Sequence, residues 1–317
     1  MISIIMPAYN ESAVIARTLA SVSQSLGDLP GEIIVVCNGC VDDTYAIVNQ
    51  FASQSGVPVT AIDLAEGSKI AALNAGDAAA TGFPRFYLDA DIELSPNAIR
   101  SVTQVLEAGV VHAAAPRMHC DMASASWPVQ AFYRTWLHRP YHRHGHVGSG
   151  FVGISQVGRE RFDRFPDIIA DDEFVRRQFA ADERQVVLDA SFTIHVPRDI
   201  RSLIKVKTRS RLGTQQLEQR FPELTSNAKQ KHPANEASPN SPPGNLPTEN
   251  TASAAMAGES PSPLDSKNQS PAPQVAPPSP FDQFAYAGVV LCSRWRANRQ
   301  FRTGKFGVWE RDETSRV

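Results

Sequence analysis

The sequence predicts an α/β fold: a mostly parallel sheet flanked by helices. Three observations carry that prediction. Apolar, largely β-branched runs recur at residues 2–6, 32–37 and 57–62 and again from residue 86. Between them lie segments whose apolar residues repeat at helical spacing. Polar and acidic residues gather just after the strands: Tyr9 and Glu11, then Asn38, then Asp89 and Asp91. Strands alternating with helices form a doubly wound sheet. Such a sheet binds its ligands at the carboxyl ends of its strands.

Taken in order, residues 2–6 form a strand that runs into Pro7-Ala8-Tyr9-Asn10-Glu11. Asn10 or Ser12 can cap the next helix, whose apolar face is Val14, Ile15, Leu19, Val22 and Leu26. Residues 27–31 break that helix. Residues 32–37 are apolar without alternation, as in a strand covered on both faces. Asn38-Gly39 turns the chain, and Asp42 or Asp43 caps a helix carrying Ile47, Val48 and Phe51. A third strand spans 57–62 and an alanine-rich helix 68–80. The fourth strand, from Phe86, ends in Asp89-Ala90-Asp91, and strand alternation would set the two carboxylates on one side. Ser95-Pro96 opens another helix with Ile99, Val102, Val105 and Leu106 on its apolar face.

Beyond residue 110 the alternation loosens. Strands are expected at 110–115, 186–188 and 192–196, a helix near Asp171, and a basic amphipathic helix or two over 201–221. Residues 227–280 hold about half of the chain's 23 prolines among Ser, Asn, Gln and Ala. Such a segment buries too little apolar surface to offset its ordering entropy, so it reads as disordered. The organisation expected is one catalytic domain in two halves, 1–110 and 111–222, a Pro/Ser-rich linker over 223–280, and a short basic, aromatic segment over 281–317. That last segment either packs back on the domain or rests on a membrane surface through residues 281–305.

Composition excludes several classes. A net charge of -2 gives no global attraction to nucleic acid. Four cysteines in 317 residues are no disulfide framework, and Cys37-Asn38-Gly39-Cys40 has redox spacing but contains a turn pair. No secretory signal is expected at the start, and no run of 18 apolar residues predicts a spanning helix. The expected location is cytoplasmic, with peripheral contact on the inner membrane face as an option. The first strand lacks the glycine fingerprint of dinucleotide-binding folds, and residues 148–153 lack the Lys-Ser/Thr pair of a P-loop. Two hard carboxylates at a strand end suit Mg²⁺ or Mn²⁺, especially an ion that also holds substrate phosphates.

Five segments in order resemble the inverting family-2 glycosyltransferases of the glycosyltransferase A-type fold. They are the opening strand with Pro7 to Glu11, residues 35–44, the helix from Gly67-Ser68-Lys69 through Asn74, Asp89-Ala90-Asp91, and Asp171-Asp172-Glu173-Phe174. The resemblance implies that Pro7, Tyr9, Glu11 and Asn38 line a nucleoside pocket. Asn38 stands where the family usually has Asp. Lys69 would reach the diphosphate and Asn74 would lie on the substrate side. Asp89 would meet ribose or a metal-bound water, and Asp91 would ligate the metal, with His195 completing the shell. Asp172 would be the base that takes the acceptor's proton, with Asp171 as the alternative; the pair here is Asp-Asp rather than Glu-Asp. Arg209 and Arg211, with Lys207, would clamp the diphosphate, although the Gln and Trp of the processive motif are absent. Residues 148–153 resemble the loop that shapes the acceptor pocket. The implied activity moves a sugar from a nucleotide-diphospho-sugar, a UDP-sugar first, to an acceptor hydroxyl with a divalent metal. A sugar nucleotidylyltransferase would need a glycine-rich basic loop after the first strand, which is missing. An inactive binding module of the same fold would not need Asp91 and Asp172.

Overall fold

The computed structural model describes residues 1–139, 147–225, 277–303 and 314. Eight strands make one sheet in the order β3-β2-β1-β4-β7-β6-β8-β5. Its parallel half is β1 (Ile2–Ala8), β2 (Gly31–Asn38), β3 (Val59–Leu64) and β4 (Arg85–Leu88). The helices between them are α1 (Ile15–Leu26), α2 (Thr44–Gln54) and α3 (Lys69–Ala79). Every residue of β1 is buried, and it pairs with β2 from Ile2 beside Gly31 to Ala8 beside Cys37. Each large apolar side chain buried there contributes roughly 1.5–3 kcal/mol. Helix α3 lies close on this sheet because Gly76 has no side chain. A Cβ there would stand 2.6 Å from Ile5 Cγ2 and 3.2 Å from Val36 Cγ2.

The rest of the sheet is mixed. It contains β5 (Glu93–Leu94), β6 (Ala113–Asp121), β7 (Phe151–Ile154) and β8 (Arg184–His195). Strand β7 runs antiparallel between β4 and β6, while β6 and β8 are parallel. The halves on either side of residue 110 therefore share one sheet. Helix α4 (Ala98–Glu107) covers it from the first half. From the second half come α5 (Trp127–Leu137), α6 (Gln156–Arg159), α7 (Asp171–Arg177) and α8 (Ile200–Arg220).

Several boundaries differ from the expectations. Strand β4 stops at Leu88, so Asp89 and Asp91 sit in a turn and strand alternation does not orient them. Neither Asn10 nor Ser12 caps α1. Asn10 adopts a left-handed φ of 50° and its side-chain oxygen accepts from the Val41 amide, while the Ser12 amide donates to Asp42 Oδ2. Asp42 also accepts from Thr44, whose hydroxyl in turn accepts from the Glu11 amide at 2.7 Å. These polar side chains tie the loop after β1 to the loop after β2. Helix α4 begins after Asn97, so Pro96 is not its first residue. The expected strand at 110–115 begins only at Ala113. The two strands expected at 186–188 and 192–196 are one, β8, with a register shift opposite Pro116 and Arg117 that leaves Leu188 exposed.

The segment after the proline-rich stretch is α9 (Pro280–Arg302), capped by Ser279 and Asp282. Of the two options for it, packing on the domain is observed. Val289, Ser293 and Ala297 are buried, Tyr286 stacks on Phe132 at 5.1 Å, and Asp282 pairs with Arg134 at 2.6 Å. Helices α5, α8 and α9 thus enclose a second, smaller core around Val129, Phe132, Leu203 and Val289. Most of the expected linker, residues 226–276, lies outside the described residues. No described helix is long and apolar enough to cross a membrane.

Candidate active site

A cavity of about 570 Å³ opens where β1, β2 and β4 end, and α3, α7 and α8 close around it. Pro7, Tyr9, Glu11 and Asn38 line one side, supplied by the loops after β1 and β2. The Tyr9 ring lies over Gly67, where a Cβ would come within 3.2 Å of its Cε2. Asn38 is buried, and its Nδ2 donates to the Ala8 carbonyl at 2.8 Å. The Val36 carbonyl lies on the same nitrogen at 3.4 Å. Two carbonyl acceptors fix the amide's orientation, so the Asn38 oxygen is the atom left to accept from a ligand.

Lys69 begins α3 and occupies the centre of the site. Its Nζ stands 2.8 Å from Asp89 Oδ1 and 3.0 Å from Asp171 Oδ2. Burial alone would lower its pKa, but the charges of Asp171 and Asp89 hold it well above the ordinary lysine value. The β4 turn and the first residue of α7 thereby meet on one ammonium.

The three acids that open α7 differ in what they meet. Asp171 pairs with Lys69. Glu173 pairs with Arg176 at 2.5 Å and Arg177 at 2.7 Å; burial would raise its carboxyl, but these guanidiniums hold it below its usual value. Asp172 has no ion pair among the described residues and accepts only from the Glu173 and Ser149 amides, at 2.8 and 3.3 Å. Burial first, then the charge of Asp171, pushes its carboxyl up to about 6 while Lys69 restrains the rise. An acid with a pKa near neutrality in a cleft fits a proton acceptor.

The glycine-rich loop explains how these acids come together. Gly148, Ser149 and Gly150 all have positive φ, at 118°, 58° and 105°. A Cβ on Gly148 would lie 3.5 Å from Asp172 Cβ, and one on Gly150 would lie 3.3 Å from Asp89 Oδ2. The Gly150 carbonyl also accepts from the Asp89 amide at 2.9 Å. One bare stretch of backbone therefore touches both carboxylates.

Asp89 and Asp91 line the cavity, and two carboxylates there are the hard oxygen donors that Mg²⁺ or Mn²⁺ takes. Among the described residues no cluster of three His, Cys, Asp or Glu side chains could hold an ion alone. Phosphate oxygens and water would have to complete such a shell, which is the usual habit of these ions. His195 also lines the cavity, but its Nε2 is 2.8 Å from Glu93 and its Nδ1 is 3.2 Å from Asp121. It would have to leave one carboxylate to reach an ion.

Two expected residues fall elsewhere. Asn74 does not line the cavity; its oxygen accepts from the Phe165 amide at 2.9 Å and its nitrogen donates to the Phe165 carbonyl at 3.0 Å. Both ends of the amide hold the chain before α7. Arg209 lines the cavity, whereas Arg211, two residues on and turned away on the same helix, is exposed. Sequence reasoning missed Tyr133 and Trp136, which also form the wall. Their three-residue spacing on α5 was visible, but nothing pointed to the face they would share.

Residues 3–161, half of the chain, match the sequence model of glycosyl transferase family 2. An uncharacterized glycosyltransferase of Nostoc sp. (strain PCC 7120) is 32% identical over 116 residues, covering 35% of each chain. The chain thus spans about a third of that curated relative's length. Mannosyltransferase PcManGT from Pyrobaculum calidifontis, in complex with GDP-Man and Mn²⁺, shares the fold at a TM-score of 0.55 and 22% identity, over 72% of this chain and 65% of that one. TarS of S. aureus in complex with UDP gives a TM-score of 0.49 at 16% identity, over 66% of this chain and 64% of that one. With the match over residues 3–161 added to this fold and this cavity, the chain belongs to glycosyl transferase family 2.

Proposed function

We propose that this glycosyltransferase is metal-dependent and inverting, and that it moves a sugar from a UDP-sugar to an acceptor hydroxyl. The observation that carries the reading is the convergence of Asp89, Lys69, Asp171 and Asp172 on one cavity. Tyr9 offers a ring face to the base, and the Asn38 oxygen accepts a ring N–H. Asp89 and Asp91 would hold the divalent ion, which when bound offsets the charge growing on the departing diphosphate. Lys69 adds a fixed positive charge for the same oxygens. Asp172 accepts the proton of the acceptor hydroxyl as that oxygen attacks the anomeric carbon from the face opposite the leaving group.

A panel of nucleotide-sugars tested with Mn²⁺ and with chelator examines this reading. Nucleoside diphosphate should appear, from UDP-sugars first, and chelator should stop it. Pyrophosphate as the product would identify a nucleotidylyltransferase instead, and no turnover with any donor would favour an inactive binding module.

The outward face of α9 supports a second partner, an anionic lipid surface. Phe281, Phe284, Leu291 and Trp295 are 71%, 76%, 64% and 66% exposed and recur along one stripe. Arg294, Arg299 and Arg302 are exposed beside or beyond it, and the helix's one acid, Asp282, is turned inward to Arg134. Aromatic and aliphatic residues with arginines and no exposed acid suit a helix lying in a lipid interface.

A further inference from the structure

Lys207 on α8 is the second lysine of the cavity wall, and its surroundings are the reverse of those around Lys69. Its Nζ lies 4.0 Å from the centroid of the Trp136 ring, 5.1 Å from Tyr133 and 5.2 Å from Phe132. No carboxylate is within ion-pair distance of it among the described residues. Its other neighbour is the Cys120 thiol on β6, which burial pushes up to about 12, so it stays neutral and supplies no counter-charge. Burial brings Lys207 itself down to about 8, which leaves it largely protonated at neutral pH. Aromatic faces hold a cation in place, but they do not cancel its charge. A desolvated ammonium in a cavity wall gains most from an anion delivered by a ligand.

The function proposed above already gives the donor's phosphates Lys69 and an ion on Asp89 and Asp91, so the diphosphate clamp expected of Arg209 and Arg211 does not need Lys207. Lys69 and the acid pair Asp89/Asp91 stand at the ends of β1 to β4, in the first half of the chain. Lys207, Tyr133 and Trp136 belong to α5 and α8, in the second half. We propose that Lys207, flanked by Tyr133 and Trp136, binds an anionic group, phosphate or carboxylate, carried by the sugar acceptor. This rests on the transferase reading above and deepens it: the acceptor is a charged molecule, with its hydroxyl toward Asp172 and its anion toward Lys207.

Calorimetric titration of the full chain with inorganic phosphate, with and without saturating UDP and Mg²⁺, tests it. Wild-type protein should bind phosphate in both states. Lys207→Met should weaken phosphate about tenfold or more, as expected for a lost charge-assisted contact, and change UDP binding less than twofold. Lys207→Arg should retain phosphate binding, and a thermal unfolding scan of each variant separates a folding defect from a binding one. Phosphate displaced by UDP, together with weaker UDP binding in Lys207→Met, would assign the lysine to the donor and overturn the proposal. Phosphate binding unchanged in Lys207→Met would overturn it as well. No UDP binding by wild type would count against the transferase reading instead, and the phosphate titration without nucleotide would still decide whether Lys207 holds an anion.

Discussion

Lys69 and Asp171 form an ion pair of 3.0 Å across the cavity, and the same ammonium reaches Asp89 at 2.8 Å. This joins the turn that would hold the metal to the helix that carries the proposed base, Asp172. It also sets the electrostatic balance around Asp172, which feels Asp171 as a like charge and Lys69 as an opposite one.

Activity should therefore respond to pH in a defined direction. As the proposed base, Asp172 would work only when ionised, so kcat/KM should fall as pH drops through about 6. Asp171→Asn removes the like charge and should move this limb to lower pH. Lys69→Met removes the restraining cation and should move it to higher pH, on top of its own loss of rate. A pH–rate profile of the three proteins checks this, and limbs that coincide would separate Asp172 from the titration.

The loop over 148–150 should tolerate no side chain at Gly150. Its φ of 105° is unsuited to alanine, and the new Cβ would stand 3.3 Å from Asp89 Oδ2 and from Ile92 Cγ2. Gly150→Ala should lose about 1–3 kcal/mol of stability and weaken donor binding by moving Asp89. Denaturant melts and UDP titration with Mn²⁺ measure the two effects.

Behind the sheet, Asp77 holds Arg85 and Arg159 at 2.6 Å each and accepts from the Tyr87 hydroxyl at 2.5 Å. Burial would raise its carboxyl, but Arg159, Tyr87 and Arg85 together keep it below the usual value. Asp77→Asn should cost roughly 3–5 kcal/mol, because two largely buried guanidiniums lose their charge partner. A depressed carboxyl gives stability that is full above the unfolded value of about 3.9 and is lost as pH falls below it. Wild type should thus lose stability in acid more steeply than Asp77→Asn, as unfolding curves between pH 3 and 6 would reveal.

The α9 face gives a membrane prediction. Full-length protein should sediment with vesicles containing phosphatidylglycerol and much less with pure phosphatidylcholine. Phe284→Ser with Trp295→Ser should abolish the difference, and Arg299→Gln with Arg302→Gln should reduce it. Equal recovery of all proteins in the supernatant would end the idea, and a dimer in solution lost in the serine variant would assign the stripe to a second copy.

Much of this was legible in the chain because apolar periodicity follows burial directly. The runs that became β1, β2 and β4 are buried, and the polar residues just after them meet at the cavity. Position just after the strands gathered Tyr9 and Asn38, while Lys69 and Asp172 came from the resemblance to the family. The cap of α1 was misread because Asn10 and Ser12 bond across to the loop after β2, and local sequence carries no sign of such partners. Asn74 and Arg211 lie off the cavity wall for a related reason: residue type gives the chemistry of a side chain but not the direction in which tertiary packing turns it. The cage around Lys207 needed α5 and α8 side by side, a contact between residues some seventy positions apart.

The most direct test of the central claim is turnover by Asp172→Asn with a donor the wild type uses, measured beside nucleoside diphosphate binding. Rate should fall roughly 10²–10⁴-fold while binding of UDP and Mn²⁺ stays within about twofold, because the proposal turns Asp172 to the acceptor and not to the nucleotide. Undiminished turnover with intact binding would contradict Asp172 as the base and the reaction geometry built on it.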